Sequence, residues 1–124
     1  MAPCDRKGSS INSDALARVI AHIASDAKAT DVVVLGISDL TTIADYFVIC
    51  TADNERQMRA IQRDIDEELG KQGVQPRSVE GTAESGWILM DYGDVIAHVF
   101  SKEERAFYSL DKLWSAAQPV LVIQ

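Results

Sequence analysis

The sequence predicts an α/β protein, a mixed sheet of about five strands flanked by three helices. Three observations carry that expectation. Apolar residues recur at helical spacing in three separate stretches, and short β-branched or alternating runs fall between them in the order α-β-β-α-β-β-β-α. At 124 residues the chain suits a single domain that can bury a core without disulfides or metals.

Taken in order, the first eleven or so residues are polar, include Gly8-Ser9-Ser10, and read as a flexible tail ahead of a domain spanning 12–118. Leu16, Val19, Ile20, Ile23 and Ala27 then mark one face of a helix over 13–28, with Ser13 as its expected N-cap and His22 off the stripe. Asp31-Val32-Val33-Val34-Leu35-Gly36 and Tyr46-Phe47-Val48-Ile49-Cys50 read as strands whose near-continuous apolarity predicts burial on both faces. From Asn54 the period changes, and Met58, Ile61, Ile65 and Leu69 share one helix face. Asn54-x-x-Gln57 caps its start, and Gly70 or Gly73 stops it.

After Pro76 come a short extended piece at Ser78-Val79-Glu80, a turn-like stretch bracketed by Gly81 and Gly86, and two apolar runs over 87–92 and 95–100. Gly93-Asp94 between those runs suits a two-residue hairpin turn, which sets Trp87 opposite Phe100, Leu89 opposite His98 and Tyr92 opposite Val95. One hairpin face then carries Trp87, Leu89, Asp91, Ile96, His98 and Phe100, and the other carries Ile88, Met90, Tyr92, Val95, Ala97 and Val99. Ser101-x-x-Glu104 is a capping box for a third helix with Phe107, Leu110, Leu113, Trp114 and Ala117 inward and Pro119 at its end. The closing Val120-Leu121-Val122-Ile123 is β-prone and reads either as an edge strand or as a tail over 119–124.

Composition narrows the function. Cys4 and Cys50 lack metal-site or disulfide spacing, which suits a reducing, cytoplasmic setting with Cys50 as a buried thiol. No run is long and apolar enough to span a membrane, and the first residues lack the apolar region of a signal peptide. The formal net charge of -7 argues against broad phosphate contact and favours a basic partner over nucleic acid.

Candidate chemistry is sparse. Gly36-Ile37-Ser38 followed by Ala44-Asp45-Tyr46-Phe47 has the outline of the Gly-Ser and Asp-x-Asp elements of nucleotidyltransferases, in which two strand carboxylates hold Mg²⁺ against phosphates. Phe47 stands where the second carboxylate belongs, so Asp45 reads as a residue that caps a turn or pairs locally before the strand, and no metal or cofactor is expected. A nucleotidyltransferase-like enzyme is the alternative reading. Asp91 and His98 share a hairpin face, but no nucleophile accompanies them, and His98 reads as structural or interfacial. Gly81 and Gly86 bracket no phosphate-binding motif.

The electrostatic pattern is more informative. Between Glu80 and Asp111 the acids are Glu80, Glu84, Asp91, Asp94, Glu103, Glu104 and Asp111, against Lys102 and Arg105. Trp87, Tyr92, Phe100, Phe107 and Tyr108 are interleaved with them, a mixture that fits a docking patch for a basic partner. Trp87, Phe100 and Phe107 read as core as readily as contact, whereas Tyr92 and Tyr108 are expected to reach the surface through their hydroxyls.

The same residues carry a resemblance. Ala44-Asp45-Tyr46-Phe47-Val48-Ile49-Cys50-Thr51, Arg56-Gln57, Glu80-Gly81, Trp87, Asp91-Tyr92-Gly93-Asp94-Val95, His98-Val99-Phe100 and Arg105-x-x-Tyr108-x-Leu110-x-x-Leu113-Trp114 resemble the ribosome silencing factor family, also called Iojap. The likeness runs from about residue 12 to 115. It implies a nucleotidyltransferase-like fold without the catalytic carboxylates, and binding to universal large-subunit ribosomal protein fourteen on the large ribosomal subunit. Docked there, the protein would block joining of the small subunit and repress translation when nutrients are scarce. Partner-binding positions carried over by the resemblance are Trp87, Tyr92 and Tyr108, with Asp91, Asp94 and Arg105 beside them. Oligomeric state, monomer or homodimer, is left open by the sequence.

Overall fold

A computed structural model describes residues 12–37, 44–108 and 118–123, the side chains of 107–108 and 118–119 excepted. The expected tail and the inward stripe of Leu110, Leu113, Trp114 and Ala117 lie outside them. The elements are α1 (Ser13–Asp26), β1 (Thr30–Gly36), β2 (Tyr46–Ala52), α2 (Glu55–Lys71), β3 (Ser78–Thr82), β4 (Trp87–Asp91), β5 (Val95–Ser101), α3 (Lys102–Tyr108) and β6 (Gln118–Ile123). The architecture is the expected mixed α/β one, with six strands in place of about five. The sheet order is β3-β4-β5-β2-β1-β6. β2 and β5 run parallel, Tyr46 beside Val95 through Ala52 beside Ser101, and the remaining neighbours are antiparallel.

The sixth strand is the closing apolar run, paired with β1 through Val32–Ile123 and Val34–Leu121. Pro119 belongs to this strand, opposite Leu35, rather than standing at a helix end. An edge strand tolerates proline because the missing N–H faces away from the ladder.

Local signals explain the helix ends. Asn12, not Ser13, caps α1: its Oδ1 accepts from the Ala15 N–H at 2.8 Å, which moves the expected cap back by one residue. Ser13 Oγ instead donates to Asp45 Oδ2 at 3.4 Å, which ties Asp45 to a distant helix. Asn54 caps α2 as expected, accepting from Gln57 N–H at 2.8 Å, while the Gln57 side chain accepts from the Asp53 N–H. α2 ends in a Schellman arrangement. Val74 N–H donates to Leu69 O at 2.9 Å, Gly73 N–H donates to Gly70 O at 3.0 Å, and Gly73 takes the left-handed φ of 79° that this closure requires.

Strand alternation divides the apolar residues between two faces. The helix-covered face packs Val32, Val34, Val48, Ile88, Met90 and Val99 against Leu16, Ile20 and Ala24 of α1 and Met58, Ile61, Ile65 and Leu69 of α2. The opposite face gathers Leu35, Ile37, Ala44, Phe47, Ile49, Ile96 and Phe100, with Val33, Trp87 and Leu89 partly buried against them. Cys50 belongs to the first face, where burial pushes its thiol up to about 12, so it behaves as a small apolar side chain. Among the described residues no helix is long and apolar enough to cross a membrane.

Candidate functional site

The hairpin forms in the predicted register, with Trp87 beside Phe100, Leu89 beside His98, and Tyr92 N–H donating to Val95 O at 2.9 Å. Gly93 supplies the positive φ of 92° that the tight turn needs. Trp87 therefore stands at one end of the strand pair and Gly93-Asp94 at the other.

Around Trp87 the second face becomes aromatic. The indole stacks on Phe100 with ring centres 5.1 Å apart, and its Nε1–H donates to His98 Nδ1 at 3.1 Å. Phe47 meets the same imidazole edge-on at 4.8 Å. Phe47 is thus part of an aromatic layer. His98 is 4 % exposed, and burial pulls its imidazole down to about 4, so at neutral pH the ring is uncharged. Its Nε2 has no hydrogen-bond partner among the described residues. The Asp91 carboxylate, which the sequence set on the same face, does not reach it: Oδ1 accepts from Gly93 N–H at 2.7 Å and holds the turn.

Two glycines bring other elements to Trp87. Gly81, with φ of 83°, lets β3 approach so closely that a Cβ there would lie 2.0 Å from Trp87 O. Gly86 packs on the start of α3, where a Cβ would lie 2.5 Å from Glu104 Cγ and 2.9 Å from Ser101 Oγ. Ser101 Oγ caps α3 by accepting from Glu104 N–H at 3.2 Å, while Ser101 N–H donates to Gly86 O at 2.9 Å. The expected capping box is thus half used, and its other half staples the β3–β4 turn to α3. Within that turn Ser85 Oγ donates to Thr82 O at 2.8 Å.

The result is a surface hollow lined by Glu80, Gly81, Ser85, Trp87, Leu89 and Glu104. Its floor is apolar, and two carboxylates flank it. A second hollow shares Ser85 and Glu104 and adds Asp53, Glu55, Glu84 and Glu103. Lys102 pairs with Asp53 at 3.0 Å, and Arg59 pairs with Glu84 at 3.1 Å and Glu55 at 3.3 Å. These pairs are exposed and add little stability, and they leave the surface acidic. An apolar floor under an acidic rim can anchor a basic partner and attract it from a distance.

The predicted binding residues do not form one cluster. Trp87 is half-buried at the hollow. Asp91 and Asp94 are at the far end of the hairpin, where Asp94 is exposed and its carbonyl accepts from Asp45 N–H at 2.8 Å. Tyr92 points to the opposite, helix-covered face, and its hydroxyl is buried with no partner among the described residues. Burial, with Asp66 nearby, pushes that hydroxyl up to about 12. The expectation that the Tyr92 hydroxyl reaches solvent is therefore corrected. Arg105 is committed internally, its Nη1 donating at 2.8 Å to both Asp31 O and Thr51 Oγ1. It fixes α3 against β1 and β2. Tyr108 ends α3, and its side chain lies outside the described residues. The sequence places Glu80, Glu104 and Trp87 in one broad acidic and aromatic stretch, and the structure narrows them to a single hollow. The signal was present in Gly81, which lets β3 close on the Trp87 backbone, and in Gly86, which lets the β3–β4 turn close on the Glu104 and Ser101 side chains.

Comparison with known proteins finds relatives along nearly the whole chain. The family described as "Ribosomal silencing factor during starvation" matches residues 10–124. The chain is 37% identical over 107 residues to ribosomal silencing factor RsfS of Bacillus subtilis, covering 86% of this chain and 91% of that one. It is 34% identical over 101 residues to the chloroplastic protein Iojap of Zea mays, covering 82% of this chain and 44% of that protein. A crystal structure of a Chromobacterium violaceum protein superposes with a TM-score of 0.81 at 26% identity, over 92% of this chain and 95% of that one. The chain belongs to the ribosomal silencing factor family.

Proposed function

We propose that the protein docks on the large ribosomal subunit through universal large-subunit ribosomal protein fourteen, on the face that receives the small subunit. Its bulk there blocks subunit joining and represses translation under nutrient limitation. The protein acts in the cytoplasm as a regulator and carries out no chemistry of its own.

The observation that supports this most is the hollow whose floor is Trp87 and Leu89 and whose rim is Glu80 and Glu104. A half-buried indole supplies a rigid, desolvated contact at low entropic cost, and carboxylates around it favour a basic protein surface. The same net charge of -7 disfavours ribosomal RNA as the main contact. Asp91, Tyr92 and Asp94 form a second contact at the hairpin tip, which a partner of ribosomal-protein size spans together with the hollow. Arg105 serves by holding α3, and Tyr108 by its place at the end of that helix.

The test is co-sedimentation with separated ribosomal subunits across a salt series. Binding to large subunits that weakens with salt, with none to small subunits, is the expected outcome. Equal association with both, or none at low salt, contradicts the proposal. Mg²⁺-dependent consumption of a nucleotide that disappears in Asp45→Ala would favour the enzyme reading instead.

A further inference from the structure

His98 costs stability where it stands. Its imidazole is 4 % exposed in the middle of β5, between the edge of Phe47 at 4.8 Å and the parallel ring of Phe100 at 6.0 Å. Because Nδ1 accepts the Trp87 indole proton at 3.1 Å, the uncharged ring carries its own proton on Nε2. That N–H is the one left without a partner among the described residues. A leucine or phenylalanine in this layer would bury no polar atom at all, and buried N–H groups without partners are uncommon because their lost hydration is not recovered. What the imidazole supplies and an apolar side chain does not is an acceptor inside the aromatic layer. The donor it serves is Trp87, the residue that passes from that layer into the floor of the acidic hollow. An indole whose N–H is held from within has one orientation.

We propose that His98 is a positioning residue for docking, its Nδ1 locking the Trp87 indole in the orientation that floors the hollow between Glu80 and Glu104. This rests on the reading of that hollow as the docking surface. Holding the anchor in its bound orientation before contact removes an ordering cost from binding and slows dissociation.

The test uses the full chain labelled with ¹⁵N, whose two indole N–H resonances are told apart by the spectrum of Trp87→Phe. His98→Phe keeps a ring and removes the acceptor, and His98→Asn returns an acceptor near the Nδ1 position without the ring. In the wild type the Trp87 indole proton should resonate downfield and exchange slowly. In His98→Phe it should move upfield and exchange about tenfold faster, as expected for the loss of one buried hydrogen bond. His98→Asn should recover part of both. Dissociation from large subunits should quicken roughly threefold to tenfold in His98→Phe, the range that one such bond covers, and return toward wild type in His98→Asn. The melting temperature of His98→Phe should equal or exceed that of the wild type, which separates positioning from folding.

An unchanged indole resonance in His98→Phe overturns the proposal. So does a released indole with an unchanged dissociation rate. A folded Trp87→Ala that binds as tightly as wild type overturns the docking reading instead, while the indole shift would still support the lock between His98 and Trp87.

Discussion

The two faces of the central sheet are built from the same strands and differ in almost everything else. On the helix-covered face Val48, Ile88, Met90 and Val99 meet the aliphatic stripes of α1 and α2, a packing problem with no buried charge. On the other face Phe47, Trp87, His98 and Phe100 form an aromatic layer, with an uncharged histidine inside it and a half-buried tryptophan at its margin. Each face leaves one buried polar atom without a partner among the described residues: on the first it is the Tyr92 hydroxyl at the margin, and on the second it is the His98 Nε2–H inside the aromatic layer. A stranded group within the layer is the stronger departure, and departures of that kind concentrate where a surface has work beyond folding. Strand parity thus separates the aliphatic core from the proposed docking hollow, even within a hairpin as short as β4–β5.

That separation can be broken experimentally, and the largest expected effect is on the helix-covered face. Ile65 is fully buried under the sheet, so Ile65→Ala should lower unfolding free energy by roughly 2 to 5 kcal/mol in a denaturant titration. The fraction that stays folded should bind large subunits with wild-type affinity. Loss of affinity in that fraction would show that the two faces are coupled.

Next in size is a pH effect confined to the second face. Burial holds folded His98 at about 4, whereas an unfolded histidine titrates near 6.5. As pH falls through that window the unfolded chain takes up the proton first, so stability is full above 6.5 and declines toward 4. The loss should total on the order of 3 kcal/mol, and His98→Phe should remove that part of the slope. Equal slopes in the two proteins would place the imidazole in water.

Trp87→Ala should cost about 2 kcal/mol of binding, seen mainly as faster dissociation, together with a drop in melting temperature because the ring also packs on Phe100. Tyr92→Phe is the sharper control. Its hydroxyl is buried without a partner among the described residues, so removing it should leave binding unchanged and raise stability by up to about 1 kcal/mol. A binding defect in Tyr92→Phe would mean that this hydroxyl turns outward in the complex. The smallest effect belongs to the rim. Glu80→Gln with Glu104→Gln should slow association a fewfold, flatten its salt dependence and leave the melt within about 0.5 kcal/mol of wild type.

Much of this was legible in the sequence where the signals are local. Asn54-x-x-Gln57 and Gly73 bound α2, and Gly93-Asp94 set the hairpin register, because capping and tight turns are decided within a few residues. Strand parity also put Trp87 and Tyr92 on opposite faces, which already argued against grouping them as one cluster of surface rings. The shift of the α1 cap from Ser13 to Asn12 is a choice between two adjacent good caps, which local pattern does not decide. Other features are nonlocal. Arg105 spends its guanidinium on Asp31 and Thr51, more than fifty residues away, and Glu104 reaches the hollow only because Gly86 lets the β3–β4 turn press on α3. No spacing rule carries such pairings.

The most direct test of the docking account is backbone hydrogen–deuterium exchange on the protein free and bound to large ribosomal subunits. Slowed exchange is expected over residues 80–89 and 101–108, which frame the hollow, and over 91–95 at the hairpin tip, with α2 unchanged along its length. Protection confined to α1 and α2, with the Trp87 strand unaffected, would contradict it.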